Sequence, residues 1–186
     1  PAAHVPRPAA RRFDELRELC DVSGDKVSLA IGMSGAVTAT LFDRRYFDAA
    51  RMSIDNVALL EAIGDPALFA GTSMAAVNAL WQAGEATSAL RLIERAIEFA
   101  GGDPTMGAWV MGSPLAVCHA LRGGCLYTLG LAGVREEFDL AADIARGRDT
   151  TSYLAVLLWR SFAIHNGALT ADRADLVLKG PFRHSG

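Results

Sequence analysis

The sequence has few cysteines, no excess of positive charge, no apolar run long enough for a bilayer and no stretch in which apolar and polar residues alternate. Each absence argues against a class of protein. The three cysteines, Cys20, Cys118 and Cys125, are odd in number and scattered, which fits reduced thiols packed as small core residues in a cytoplasmic protein better than a secreted disulfide framework. A formal charge of -3, from 18 basic and 21 acidic side chains, supplies no field to hold a phosphate backbone, so nucleic acid is not expected as a direct partner. Without a span of about 20 apolar residues, or a basic segment leading into an apolar leader, neither membrane insertion nor export is indicated. The missing alternation removes the signal of a half-buried strand.

What is present is a hydrophobic content of 51% in 186 residues, enough to bury a substantial core in one domain or one continuous array. Residues 1–10 contain Pro1, Pro6 and Pro8 and read as a linker, with regular structure expected only after Pro8. The chain opens on Pro1 rather than Met and reads as a fragment of a larger protein. From 11 to 179 it falls into segments of helical length separated by Gly, Asp and Pro breaks, and 180–186 reads as a tail after Gly180-Pro181.

The breaks recur. Asp25, Asp65, Asp103 and Asp149 stand 40, 38 and 46 residues apart, each at a place suited to cap a helix with its carboxylate. Asp65-Pro66 and Asp103-Pro104 add proline at the first helical position, and Ser113-Pro114 looks like a further start that splits a short lead-in from the main helix. A period near 40 residues with two helices per unit predicts an all-α, tetratricopeptide-like α-solenoid of antiparallel helical hairpins. A fourth unit is expected to begin at Asp149, turn at Asn166-Gly167 and restart at Thr170.

The two helices of each unit differ in kind. Segments 27–42, 67–83 and 105–121 contain no Asp, Glu, Lys or Arg, and 150–159 repeats this in shorter form. Their neighbours are amphipathic, with stripes at Phe47, Ala50, Ile54 and Val57, at Ala86, Ala89, Ile93, Ile97 and Ala100, and at Val134, Phe138, Ala141 and Ala145. A helix without charge on any face must be buried on most sides, and small residues such as Gly32, Gly35, Gly71 and Ser73 would let such helices approach closely. The tetratricopeptide signature itself is partial: Leu80, Gly84 and Ala96 match three positions, and Gly130 and Ala142 repeat two.

Motifs of catalysis do not hold up. Gly32-Met33-Ser34-Gly35 and Gly71-Thr72-Ser73-Met74-Ala75 glance at a nucleophile elbow, but neither follows a strand, and helix-packing serines are the expectation. No phosphate-cradling loop is present. Cys118, His119 and Cys125 look like metal ligands, yet on one helix the two thiols lie about 10.5 Å apart along the axis, too far to share a zinc. No metal or cofactor is expected, and no enzyme activity in this segment. Adjacent Glu136 and Glu137 point apart on a helix and are expected on a solvated face, while Trp81, Trp109 and Trp159 are expected as core or inter-helix spacers. Polar residues on otherwise apolar helices are the remaining candidates. Asn78, Gln82, His119, Arg122, Arg160 and His165 are candidates to line a concave groove, set against the plainer reading that they satisfy local backbone groups or reach solvent at helix ends.

Three stretches carry a family resemblance: ELCDVSGDKVSLAIGMSG (18–35), ALLEAIGDPAL (58–68) and GGDPTMGAWVMGSPLAV (101–117). They resemble the tetratricopeptide-like region of actinobacterial, especially mycobacterial, multidomain regulators that join a class III adenylate cyclase-like domain to an AAA-type ATPase, some with a LuxR-type helix-turn-helix. The resemblance implies a non-catalytic regulatory module. Its partners would be another protein, other domains of the parent chain or a second copy, with a small-molecule effector in the concave groove as the alternative.

Overall fold

The computed structural model describes residues 8–109 and 111–169. They are all-helical, with eight helices: α1 (Pro8–Ser23), α2 (Lys26–Phe42), α3 (Tyr46–Ile63), α4 (Pro66–Gln82), α5 (Ala86–Ala100), α6 (Pro114–Thr128), α7 (Val134–Ala145) and α8 (Thr150–His165). Helix α1 begins at Pro8, inside the stretch read as a linker, because proline at the first helical position lacks only a donor that has no partner there. The rest of that linker, the expected helix from Thr170 and the tail at 180–186 lie outside the described residues.

Three of the four recurring aspartates cap helices. Asp25 accepts the Ser28 N–H at 3.0 Å, Asp65 accepts from Ala67 and Leu68 at 2.8 and 3.1 Å, and Asp149 accepts from Ser152 at 2.8 Å. Asp103 does not. Its carboxylate accepts the Thr105 N–H at 2.8 Å, but turns follow rather than a helix, and the third charge-poor helix starts at Pro114. The cause is a tertiary contact: Gly107 takes a left-handed φ of +73 and presses against Gly71 of α4, a geometry no helical residue could reach.

The charge-poor helices form a row in which α2 packs on α4, α4 on α6 and α6 on α8, while α3, α5 and α7 each pack against that row. Burial follows position. Helix α4 buries residues from Leu68 to Ala79 on several faces and α6 almost all of Pro114–Leu126, whereas α2 and α8 leave Val27, Ile31, Leu154, Leu158 and Phe162 exposed. The main core joins Leu60, Phe69, Val77, Ile93, Cys118 and Leu121, and a second gathers Ala116, Phe138, Ala141 and Val156.

The amphipathic stripes of α5 and α7 are largely buried, but that of α3 is split, with Ala50 buried and Val57 packed against the core while the other two positions stand open. Phe47 is 80% exposed and Ile54 64%, because α3 and α5 both lean on α4 and leave a gap between them. No helix among the described residues is long and apolar enough to cross a membrane.

Candidate functional site

The six polar residues read from the sequence do not converge. Asn78 is half-buried on α4, and its Oδ1 has no hydrogen-bond partner among the described residues. His165 is exposed in the last turn of α8. His119, Arg122 and Arg160 turn toward α7: His119 Nδ1 lies 2.8 Å from Glu137 Oε2, Arg122 Nη1 donates to Glu137 Oε1 at 2.5 Å, and buried Arg160 pairs with Asp139 at 3.1 Å. Arg122 also reaches Glu94 of α5 at 3.3 Å, so one guanidinium fills the space between α5 and α7.

Glu137 departs from its expected solvated face. It is buried, and although burial opposes its ionisation, the His119 and Arg122 partners overcome that cost and hold its carboxyl below the ordinary range. Sequence spacing gave no sign of this, since the partners lie 15 and 18 residues away on another helix. The two thiols of α6 are pushed the other way: burial raises Cys118 and Cys125 to about 12, so both stay protonated at neutral pH and serve as core packing. Among the described residues, no group of three or more His, Cys, Asp or Glu is placed to hold a metal ion.

Between α3 and α5 the Arg95–Glu61 ion pair crosses at one end, and the remainder of the gap is open. It is a groove of about 830 Å³ with Phe47, Ala50, Ile54 and Val57 on the α3 wall, Leu92 on the α5 wall and Leu80 of α4 beneath. From Phe47 to Glu61 it runs fourteen residue steps along α3, about 21 Å at the helical rise. Its rim is charged. Arg51 is held by Asp48 at 2.5 Å, and Arg95 pairs with Glu61 across the groove while its guanidinium lies 5.2 Å above the Phe69 ring. Arg91 and Glu85 also line it, and neither forms an ion pair among the described residues. These residues belong to a helix face that periodicity assigned to the core, so only the helix spacing reveals them.

Gln82 belongs elsewhere. It stands exposed beside a recess of about 310 Å³ walled by Trp81, Trp159, Phe162 and Asn166 at the C-terminal ends of α4 and α8. Trp81 is fixed there by a 2.7 Å bond from its Nε1 to Thr128 and by the Trp159 ring at 5.1 Å, an inter-helix role that Trp109, which is exposed, does not share.

The groove presents an apolar floor between charged rims, and the recess presents ring faces beside amides. Comparison of the chain with protein-family models, with curated proteins and with solved structures finds no match.

Proposed function

We propose that the chain is a tetratricopeptide-like α-solenoid acting as a non-catalytic regulatory module, and that it docks a partner protein or another domain of its parent in the α3/α5 groove. The observation that carries this reading is the exposure of Phe47 and Ile54, two turns apart on one face of α3, in an apolar groove of about 830 Å³. Apolar side chains clustered in a groove with a polar rim are characteristic of interaction sites, whereas single exposed ones are not. Row packing of α2, α4, α6 and α8, with α3, α5 and α7 against it, supports the solenoid. The three family-like stretches support a place in an adenylate cyclase/ATPase-type signalling or transcriptional regulator. Self-association has its own surface in this reading, the apolar stripes of α2 (Val27, Ile31) and α8 (Leu154, Leu158, Phe162).

A photo-crosslinking residue placed at Phe47 or Ile54 in the full-length parent tests the groove in cells. A discrete crosslinked product from both sites, and none from Trp109, which is also exposed, is the expected result. Equal labelling from all three would remove the groove from consideration, and light scattering at rising concentration reports separately on self-association.

A second reading, effector sensing, is favoured by the recess beside Gln82, whose volume of about 310 Å³ lies at the small end of ligand pockets. A metabolite panel that raises the melting temperature of the wild type but not of Trp159→Ala or Gln82→Ala would support it.

A further inference from the structure

We infer that the segment received by the α3/α5 groove is an amphipathic α-helix of about four turns, with an acidic side chain set against Arg91 and a basic one against Glu85. This rests on the groove being the docking surface proposed above, and it names the chemistry of the occupant.

The walls decide the conformation. Both are helices whose backbone N–H and C=O groups are already paired internally, so they offer no ladder to an extended peptide, which would bury unpaired amides against Phe47, Ile54 and Val57. A helix satisfies its own backbone and brings only side chains to the groove. A polyproline segment needs aromatic ridges with polar tips, and Phe47 is the one aromatic ring in this lining. Length agrees: the groove runs about 21 Å, the rise of about fourteen helical residues.

The rim decides the charge. Arg51 is engaged by Asp48, and Arg95 by Glu61 and the Phe69 ring. Arg91 of α5 and Glu85 at its N-cap keep their charges available, six residues apart and so about 9 Å along the helix axis. A docked helix running antiparallel to α5 meets them with an acidic residue in its earlier half and a basic residue about two turns later. That order also suits the occupant's own dipole, with the acid toward its N-terminus and the base toward its C-terminus.

A displayed library of random peptides of about 16 residues, selected on the complete chain and counter-selected on the Phe47→Ser/Ile54→Ser variant, tests this. Both positions are exposed, and circular dichroism verifies that the variant keeps the fold. The expected clones carry apolar residues at i, i+3 or i+4, and i+7, gain helicity on binding, and contain an acidic residue. Replacing that residue by Lys weakens binding about tenfold on the wild type and strengthens it on Arg91→Glu. Groove-dependent clones that bind extended, or are indifferent to the charge at 91, overturn the helical, charge-matched occupant and leave the groove standing as a docking surface. Failure to recover any clone sensitive to Phe47 and Ile54 overturns the groove as well.

Discussion

Gly71 of α4 and Gly107 of the turns before α6 meet backbone to backbone, so close that a Cβ on Gly107 would stand 2.7 Å from the Gly71 Cα. Two effects compete when Gly71 becomes alanine. Helix propensity favours the change by about 1 kcal/mol, but the new methyl overlaps the Gly107 carbonyl, a backbone group that can move only if the whole loop shifts. Overpacking of this kind costs about 3 kcal/mol, so Gly71→Ala should destabilise the chain by about 2 kcal/mol net. The denaturant midpoint measures it, and a stabilised variant would mean that the loop is not seated there.

That contact also shows where the sequence was legible and where it was not. Helix starts at Asp25, Asp65 and Asp149 could be read because a cap is a local interaction between near neighbours. Asp103 has the same local signal, yet the seating of Gly107 on Gly71, 36 residues apart, replaces the helix with turns. The same limit governs the candidate site. Periodicity identified the apolar stripe of Phe47, Ala50, Ile54 and Val57 but not the missing neighbour that leaves it open. Likewise the polar character of His119, Arg122 and Arg160 was evident, while their orientation toward Glu137 and Asp139 depends on how α7 docks.

Phe138 should be the most costly side chain of α7 to remove. It is 1% exposed and sits among Ala116, Ala120, Ala141 and Ala142, with its ring edge against Gly123. Such small neighbours have little side chain with which to fill the space left behind, so Phe138→Ala should lose about 3 to 5 kcal/mol. Leu140→Ala, on the exposed side of the same helix, should stay within about 0.5 kcal/mol. Comparable losses at both positions would show that the buried face has been misassigned.

Ser34 joins three helices through one hydroxyl. It accepts from Asn56 Nδ2 at 2.9 Å and lies 3.2 Å from the Ala30 carbonyl oxygen and 3.3 Å from that of Thr72. Ser34→Ala strands the buried Asn56 amide and should cost about 2 kcal/mol. Adding Asn56→Leu removes the stranded group and keeps its branched shape, so the double variant should be more stable than Ser34→Ala alone. Simple additivity of two losses in urea titrations would show that the two side chains are not coupled.

Glu137 makes the stability of the α6–α7 contact depend on pH. Its carboxyl is held below its ordinary value of 4.5: burial pushes it upward, and the His119 and Arg122 contacts outweigh that push. A carboxyl depressed in the folded state binds protons more weakly there than in the unfolded chain, so its contribution is complete above the unfolded value and disappears as pH falls through the folded one. Glu137→Gln keeps the shape and removes the charge. The variant should be less stable than the wild type by about 2 kcal/mol at neutral pH, the scale of hydrogen bonds to a charged group. This difference should hold down to about pH 5 and shrink steadily below it, as the wild-type carboxylate protonates and the two proteins become electrostatically alike. Paired urea titrations of the two proteins between neutral and acid pH measure the effect directly. A difference that stays constant into strong acid would assign the loss to side-chain shape rather than to the charge shared with His119 and Arg122.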